Sequence, residues 1–197
     1  ANTVELFERA AYYGVFIVIT LYMSRILGFN DIEAAIIAGI FQALLYFLPT
    51  FAGAYADKIG FRKSLILAFA LLTLGYGGMG VLPTIFESAG LVDYGESTVF
   101  TGLDTSVQRY AILPVLALIV LGGSFIKSVI TGTVAKETTK ENRARGYSIF
   151  YAMVNIGAFS GKTIVEPLRE MMGNTGLIWI SYFSSGMTLL GLIVVFL

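Results

Sequence analysis

Long apolar runs separated by short polar connections dominate the chain. Runs able to cross about 30 Å of hydrocarbon fall at 4–27, 32–55, 63–86, 110–133, 146–168 and 177–197. This pattern predicts an all-α membrane protein, with residues 1–197 forming one six-helix transmembrane bundle. Local signals mark some of the boundaries. Asn30 followed three residues later by Glu33 predicts a capping box at the start of the second span, and Gly28 and Gly60 are helix-stopping or turn residues. Pro49, Pro114 and Pro167 can kink their helices. Gly75, Gly77, Gly78 and Gly80 cluster in the third span, which in lipid points either to close helix contact or to a flexible gate. The one long polar connection, from Glu87 to Arg109, holds Gly90, Gly95 and Gly102 and is expected to be an exposed loop with some local structure.

Composition narrows the function classes. The 197 residues are 56% hydrophobic and only 13% charged, too little charge to cover a water-soluble domain of this size. Net charge is zero and no basic stripe runs along the sequence, so nucleic acid is not expected as a partner. Cysteine is absent, which excludes disulfides, thiolate metal sites and cysteine nucleophiles. Histidine is absent as well, so proton exchange near neutral pH falls to carboxylates. No nucleophile constellation, filter-like segment or metal-ligand cluster is recognisable; enzyme, channel, catalytic residue, metal and organic cofactor are all unexpected. The chain starts at Ala1 instead of Met and stops inside an apolar run, Val194 to Leu197, so it reads as a piece of a longer protein.

Basic residues set an expected orientation. Lys58, Arg62 and Lys63 lie between spans two and three, and Lys136, Lys140, Arg143 and Arg145 between spans four and five. Both connections are therefore expected on the cytoplasmic side of the cell membrane. Asp31, Glu33, Glu87, Asp93, Glu96 and Asp104 fall in the alternate connections. Both ends of the chain are then cytoplasmic.

Charges inside the apolar runs carry the candidate chemistry. Glu5 and Arg9 are four residues apart and share a helix face, Glu8 lies within a turn, and Tyr12 and Tyr13 follow. The group is either a solvated cytoplasmic preamble or a compact carboxylate–guanidinium cluster inside the span. Excluding it leaves only Ala10 to Ser24 before Arg25, which is short for a crossing. Lys127 stands alone in the fourth span and needs a partner or a wet cavity. Glu5 and Glu8 are its natural partners, forming a pair that protonation would break and so bias two conformations. In the fifth span, Lys162 and Glu166 at i, i+4 suggest a structural salt bridge or a substrate contact. Asn155 and Tyr46 read, taken singly, as a buried amide and a buried phenol seeking hydrogen-bond partners.

Taken in order, these residues resemble the proton-dependent oligopeptide transporter family of the major facilitator superfamily. Glu5-Leu6-Phe7-Glu8-Arg9 matches that family's E-x-x-E-R motif, and Tyr12-Tyr13-Gly14 the tyrosine pair and glycine after it. The segment Gly53 to Lys63 resembles the superfamily's loop signature G-x-x-x-D-x-x-G-x-R-K, and Phe150 to Gly157 the family's F-Y-x-x-I-N-x-G.

The resemblance implies that this chain is the N-terminal bundle of a two-bundle carrier, its partners being the lipid bilayer, a C-terminal bundle and a small peptide or related solute, with protons as coupling ion. Glu5, Glu8, Arg9 and Lys127 would couple protons. Arg9, Tyr12, Tyr13, Tyr46, Lys127 and Asn155 would contact substrate, and Gly53, Asp57, Gly60, Arg62 and Lys63 would form a conformational latch. Two departures stand out: Phe16 occupies a position where bacterial peptide carriers place arginine, and Lys127-Ser128-Val129 replaces the common K-P-N. Carriers of nitrate, an amino-acid derivative or a drug-like anion, and a transporter-like receptor, are the alternatives.

Overall fold

A computed structural model describes residues 2–94, 103–139 and 142–197. Gly95, Glu96, Gly102 and Lys140 lie outside these residues, as does the side chain of Lys136. The order is α1 (Asn2–Arg25), α2 (Asp31–Phe47), α3 (Pro49–Ile59), α4 (Phe61–Ser88), a 3-10 turn (Val107–Ala111), α5 (Ile112–Glu137), α6 (Arg143–Met172) and α7 (Thr175–Phe196). Each expected span is helical. The second is split into α2 and α3, bent by 45° where Pro49 interrupts the backbone ladder. On length and apolarity alone α4, α5 and α7 qualify as membrane-crossing, and the bent α2–α3 pair makes a fourth. α1 and α6 carry the charged residues that keep them outside that set.

The predicted boundaries have the expected chemistry. The Asn30 side chain accepts from the Glu33 amide at 2.8 Å while the Glu33 carboxylate accepts from the Asn30 amide at 3.2 Å, closing the capping box. Gly60, at φ +90°, joins α3 to α4 in a conformation that a Cβ would strain. One proline expectation changes and one proline is new. Pro114 lies in the first turn of α5, where its missing N–H removes no helix bond, whereas Pro83, unremarked in the sequence, lies inside α4.

Small residues bring the helices together. A Cβ on Gly77 would meet Ser185 of α7 at 3.2 Å, one on Gly78 would meet Val115 of α5 at 3.1 Å, and one on Gly80 would meet Tyr182 of α7 at 2.7 Å. The glycines of α4 are therefore packing positions. α7 carries no charge and is held by short polar side chains instead. Ser184 donates to the Ala11 carbonyl at 2.9 Å, Ser185 to the Thr73 carbonyl at 3.0 Å, and Thr73 and Thr188 meet at 3.1 Å. Ser184 and Thr188 are buried and Thr73 and Ser185 half-buried, so these bonds satisfy hydroxyls that the bundle shields.

The connection after α4 is not uniformly exposed. Val92 and Leu103 are buried, and the Tyr94 hydroxyl donates to the Ile26 carbonyl at 2.7 Å. Arg109 binds the same end of the bundle together. It pairs with Glu33 at 3.1 Å, donates to the carbonyls of Gly28 at 3.2 Å and Asp104 at 2.8 Å, and stacks over Phe29. Arg109→Ala removes charged hydrogen bonds at a site only 12% exposed. It is expected to lower stability by about 2 kcal/mol, measurable by thermal unfolding in detergent.

Candidate functional site

Helix periodicity places Glu5, Glu8, Arg9 and Tyr12 together on α1, and close packing on α6 determines what that face meets. A Cβ on Gly157 would come within 2.8 Å of the Arg9 Cβ and 3.3 Å of the Ala10 amide, and one on Gly161 within 3.0 Å of the Gly14 amide. The two helices therefore run side by side, with backbone nearly touching backbone.

Glu5 and Glu8 are only 5% and 3% exposed. The cluster is therefore part of the bundle and not a solvated preamble. Arg9 Nε pairs with Glu5 at 3.1 Å and also, by a short contact, with Glu8. Its guanidinium lies 5.2 Å from the centre of the Tyr12 ring. Lys127, from α5, approaches that same ring at 5.8 Å and sits 4.0 Å from the Tyr46 ring. The acids on α1 and the ammonium on α5 thus gather around one tyrosine. The ion pairs of Glu5 and Glu8 are made with Arg9, while Lys127 donates to the Leu45 carbonyl at 3.2 Å. Lys127 thus stands within electrostatic reach of the carboxylates it was expected to partner and shares the Tyr12 ring with Arg9.

Leu45 offers its carbonyl for a local reason. In a continuous helix that oxygen would accept from the amide four residues on, but residue 49 is proline and has no N–H. The break that bends the span also leaves an acceptor inside the bundle for the ammonium. Pro49→Ala restores a competing donor. It is expected to loosen Lys127 by about 1 kcal/mol, raising its modification by an amine-reactive reagent roughly fivefold.

The charges do not cancel within α1. Two carboxylates share one guanidinium, so the ionised trio carries one surplus negative charge, which Lys127 or a bound proton can balance. A buried cluster of this type holds its charge only with such compensation.

Other expected site residues fall into three groups. Tyr12 and Tyr13 pack edge to face at 5.2 Å, and Phe16 stacks on Tyr12 at 5.1 Å. Tyr46 and Asn155 are exposed, correcting the expectation that both are buried. Lys162 and Glu166 are exposed too and form no ion pair with each other. Lys162 instead places its ammonium 5.0 Å from the Tyr13 ring, so the salt-bridge expectation fails. An exposed i, i+4 pair gains little, and an aromatic face competes with it.

The exposed surface has two characters. Leu74, Val81 and Ile85 of α4, with Leu189, Leu190 and Ile193 of α7, form purely apolar faces suited to lipid. α2, α3 and α6 also expose apolar side chains, among them Ile36, Ile40, Phe51 and Phe159, but add Tyr46, Tyr55, Tyr151, Asn155 and Lys162. Polar side chains of this kind are expensive against hydrocarbon and suited to a wet cleft.

The residues expected to form a latch surround the α3–α4 turn. Asp57, Arg62 and Lys63 are exposed there, and Gly53 lets α3 approach Ser128 of α5, whose Cβ lies 3.2 Å from where a glycine Cβ would be. Arg62 donates to the carbonyls of Val195 at 3.3 Å and Phe196 at 2.7 Å, tying α4 to α7. The sequence pointed to neither this tie nor the Leu45 acceptor, although a proline four residues after a leucine was a usable signal for the second.

The family model described as Major Facilitator Superfamily matches residues 4–197. Over 196 residues the chain is 26% identical to the dipeptide and tripeptide permease B of Yersinia enterocolitica, covering 98% of this chain and 34% of that protein. It is 30% identical to solute carrier family 15 member 1 of Canis lupus familiaris, covering 85% of this chain and 23% of that protein. Identity to solute carrier family 15 member 2 of Rattus norvegicus is 31%, covering 84% and 21%. The chain thus spans 34% of the length of the bacterial relative and less of the mammalian ones.

Proposed function

This chain belongs to the Major Facilitator Superfamily, and from that premise we propose that it forms the N-terminal six-crossing half of a proton-coupled symporter for di- and tripeptides. The reading is supported above all by the buried surplus charge where Glu5 and Glu8 share Arg9 near Lys127. Its relatives include a dipeptide and tripeptide permease.

The coupling follows from charge balance. A peptide carboxylate brought to Lys127 and Arg9 adds one negative charge to a cluster that already has one in surplus. Protonating Glu5 or Glu8 removes that surplus and releases cationic character for the substrate. Proton and peptide therefore bind more tightly together than either binds alone, and linkage makes the effect reciprocal. Tyr12, Tyr13, Tyr46 and Asn155 line the cleft, where hydroxyl, amide and ring faces hold the constant peptide backbone and tolerate varied side chains. The C-terminal half closes the other wall, and rocking of the two halves exposes the site to each side in turn. The carrier resides in the cell membrane with both ends of this segment in the cytoplasm, where the basic connections lie.

Uptake of a dipeptide by the full-length protein in proteoliposomes is expected to rise under an inward proton gradient and collapse with a protonophore. Accumulation indifferent to the protonophore would count against coupling. Phe16 and Ser128-Val129 favour examining a second substrate class: if nitrate or an amino-acid derivative is accumulated and dipeptides fail to compete, the substrate assignment falls while the coupling stands. For the turn near Asp57, charge reversal is expected to slow turnover severalfold with little change in KM, as befits a residue that latches a state without touching substrate.

A further inference from the structure

We propose that Lys162 is a second cationic contact in the cleft, one that selects peptides carrying an additional carboxylate on a side chain. This inference rests on the peptide-carrier reading above and adds a specificity determinant to it.

The position follows from helix geometry. Lys162 is seven residues beyond Asn155, two turns of α6, and so lies on the same face about 10 Å further along the axis. That face is exposed in this bundle, and Tyr151 and Asn155 begin it. Phe159, Lys162, Thr163, Glu166, Pro167 and Glu170 continue it as the lining of a shallow depression of about 570 Å³. Gly161, the neighbour of Lys162, is pressed against Gly14 of α1, which fixes the height of Lys162 relative to the tyrosine pair.

The charge is directed toward the site. Lys162 lies 5.0 Å from the Tyr13 ring, Tyr13 lies 5.2 Å from Tyr12, and Lys127 lies 5.8 Å from Tyr12. These steps keep the two ammonium groups within about 16 Å of one another, a span that an extended tripeptide, at about 3.5 Å per residue plus its side chains, can bridge. A peptide whose terminal carboxylate reaches Lys127 can therefore present a side-chain carboxylate to Lys162. Because Lys162 makes no ion pair with Glu166, its ammonium is not already neutralised by that carboxylate. Glu166 and Glu170 lie farther along the same face and oppose an acidic ligand, which gives the proposal a second sign to test.

The experiment compares proton-driven uptake of the tripeptides alanyl-alanyl-alanine, glutamyl-alanyl-alanine and lysyl-alanyl-alanine by the full-length protein, since the acidic side chain must stand at the end remote from the terminal carboxylate. Lys162→Gln is expected to lower kcat/KM for glutamyl-alanyl-alanine about fivefold relative to alanyl-alanyl-alanine, Lys162→Arg to retain the preference, and Glu166→Gln to strengthen it. Lys162→Glu should shift preference toward lysyl-alanyl-alanine. Unchanged alanyl-alanyl-alanine uptake reports an intact fold. Equal losses for all three peptides, or no change for any, would overturn the assignment of Lys162 while leaving the carrier reading in place. Absence of peptide uptake by the parent protein would overturn the carrier reading and this inference together.

Discussion

Arg9→Ala is expected to reduce proton-driven uptake to background and to destabilise the bundle. Arg9 is the shared partner of Glu5 and Glu8, which are 5% and 3% exposed. Removing it leaves two buried carboxylates facing one another without their cation. Stranding a buried charge in this way costs about 3–5 kcal/mol, equivalent to more than about a hundredfold in an equilibrium. Either bound protons replace the lost cation permanently, so that none is released inside, or the α1–α6 contact opens. Both outcomes end coupling. The triple variant Glu5→Gln, Glu8→Gln, Arg9→Ala separates stability from function. With these three charges gone together, only Lys127 keeps its charge, half-buried at the Leu45 carbonyl; thermal stability in detergent should recover most of the loss caused by Arg9→Ala, because neutral side chains need no buried counter-ion, while uptake should remain at background. Recovered uptake in the triple variant would show that these charges do not couple protons.

Gly161→Val should unfold or severely loosen the protein, for a steric reason. The Cβ it adds points into the α1 backbone, at Ala10 and Gly14. Backbone cannot rotate away as a side-chain tip can, so the helices must separate and lose the contact that sets the site. A loss of at least about 3 kcal/mol is expected, the upper end of overpacking effects. Gly39 and Gly186 are the controls, since a Cβ on either meets nothing nearby. Alanine at those two positions should be neutral or stabilise by about 0.5–1 kcal/mol through helix propensity. Similar melting temperatures for Gly161→Val and Gly186→Ala would contradict the close α1–α6 approach.

How much was legible in the sequence depended on the range of the interaction. The capping box at Asn30 and Glu33 was readable because both partners lie within one turn. The Glu5–Arg9 pair was readable for the same reason, since i, i+4 spacing on a helix fixes a shared face. Tyr46 and Asn155 were misread as buried: apolar neighbours in sequence surround them, but exposure is set by which helices cover a face. Lys162 and Glu166 have the right spacing for a salt bridge, yet Tyr13, far away in sequence, takes the ammonium. Lys127 was recognised as needing company, with Glu5 and Glu8 named for it, but its bond to the Leu45 carbonyl and its place over the Tyr46 ring depend on helices far apart in sequence.

The sequence by itself determined the solvent of this protein, the helical intervals, the caps and turns, and the short-range charge motif, because hydropathy and helix periodicity act over a few residues. Only the tertiary structure decided that Arg9 and Lys127 converge on Tyr12, that the Leu45 carbonyl receives an ammonium, and that one face of α6 stays open. Those facts depend on how helices distant along the chain lie against one another, and that placement is set by glycine contacts and buried hydroxyl bonds whose partners no local pattern names.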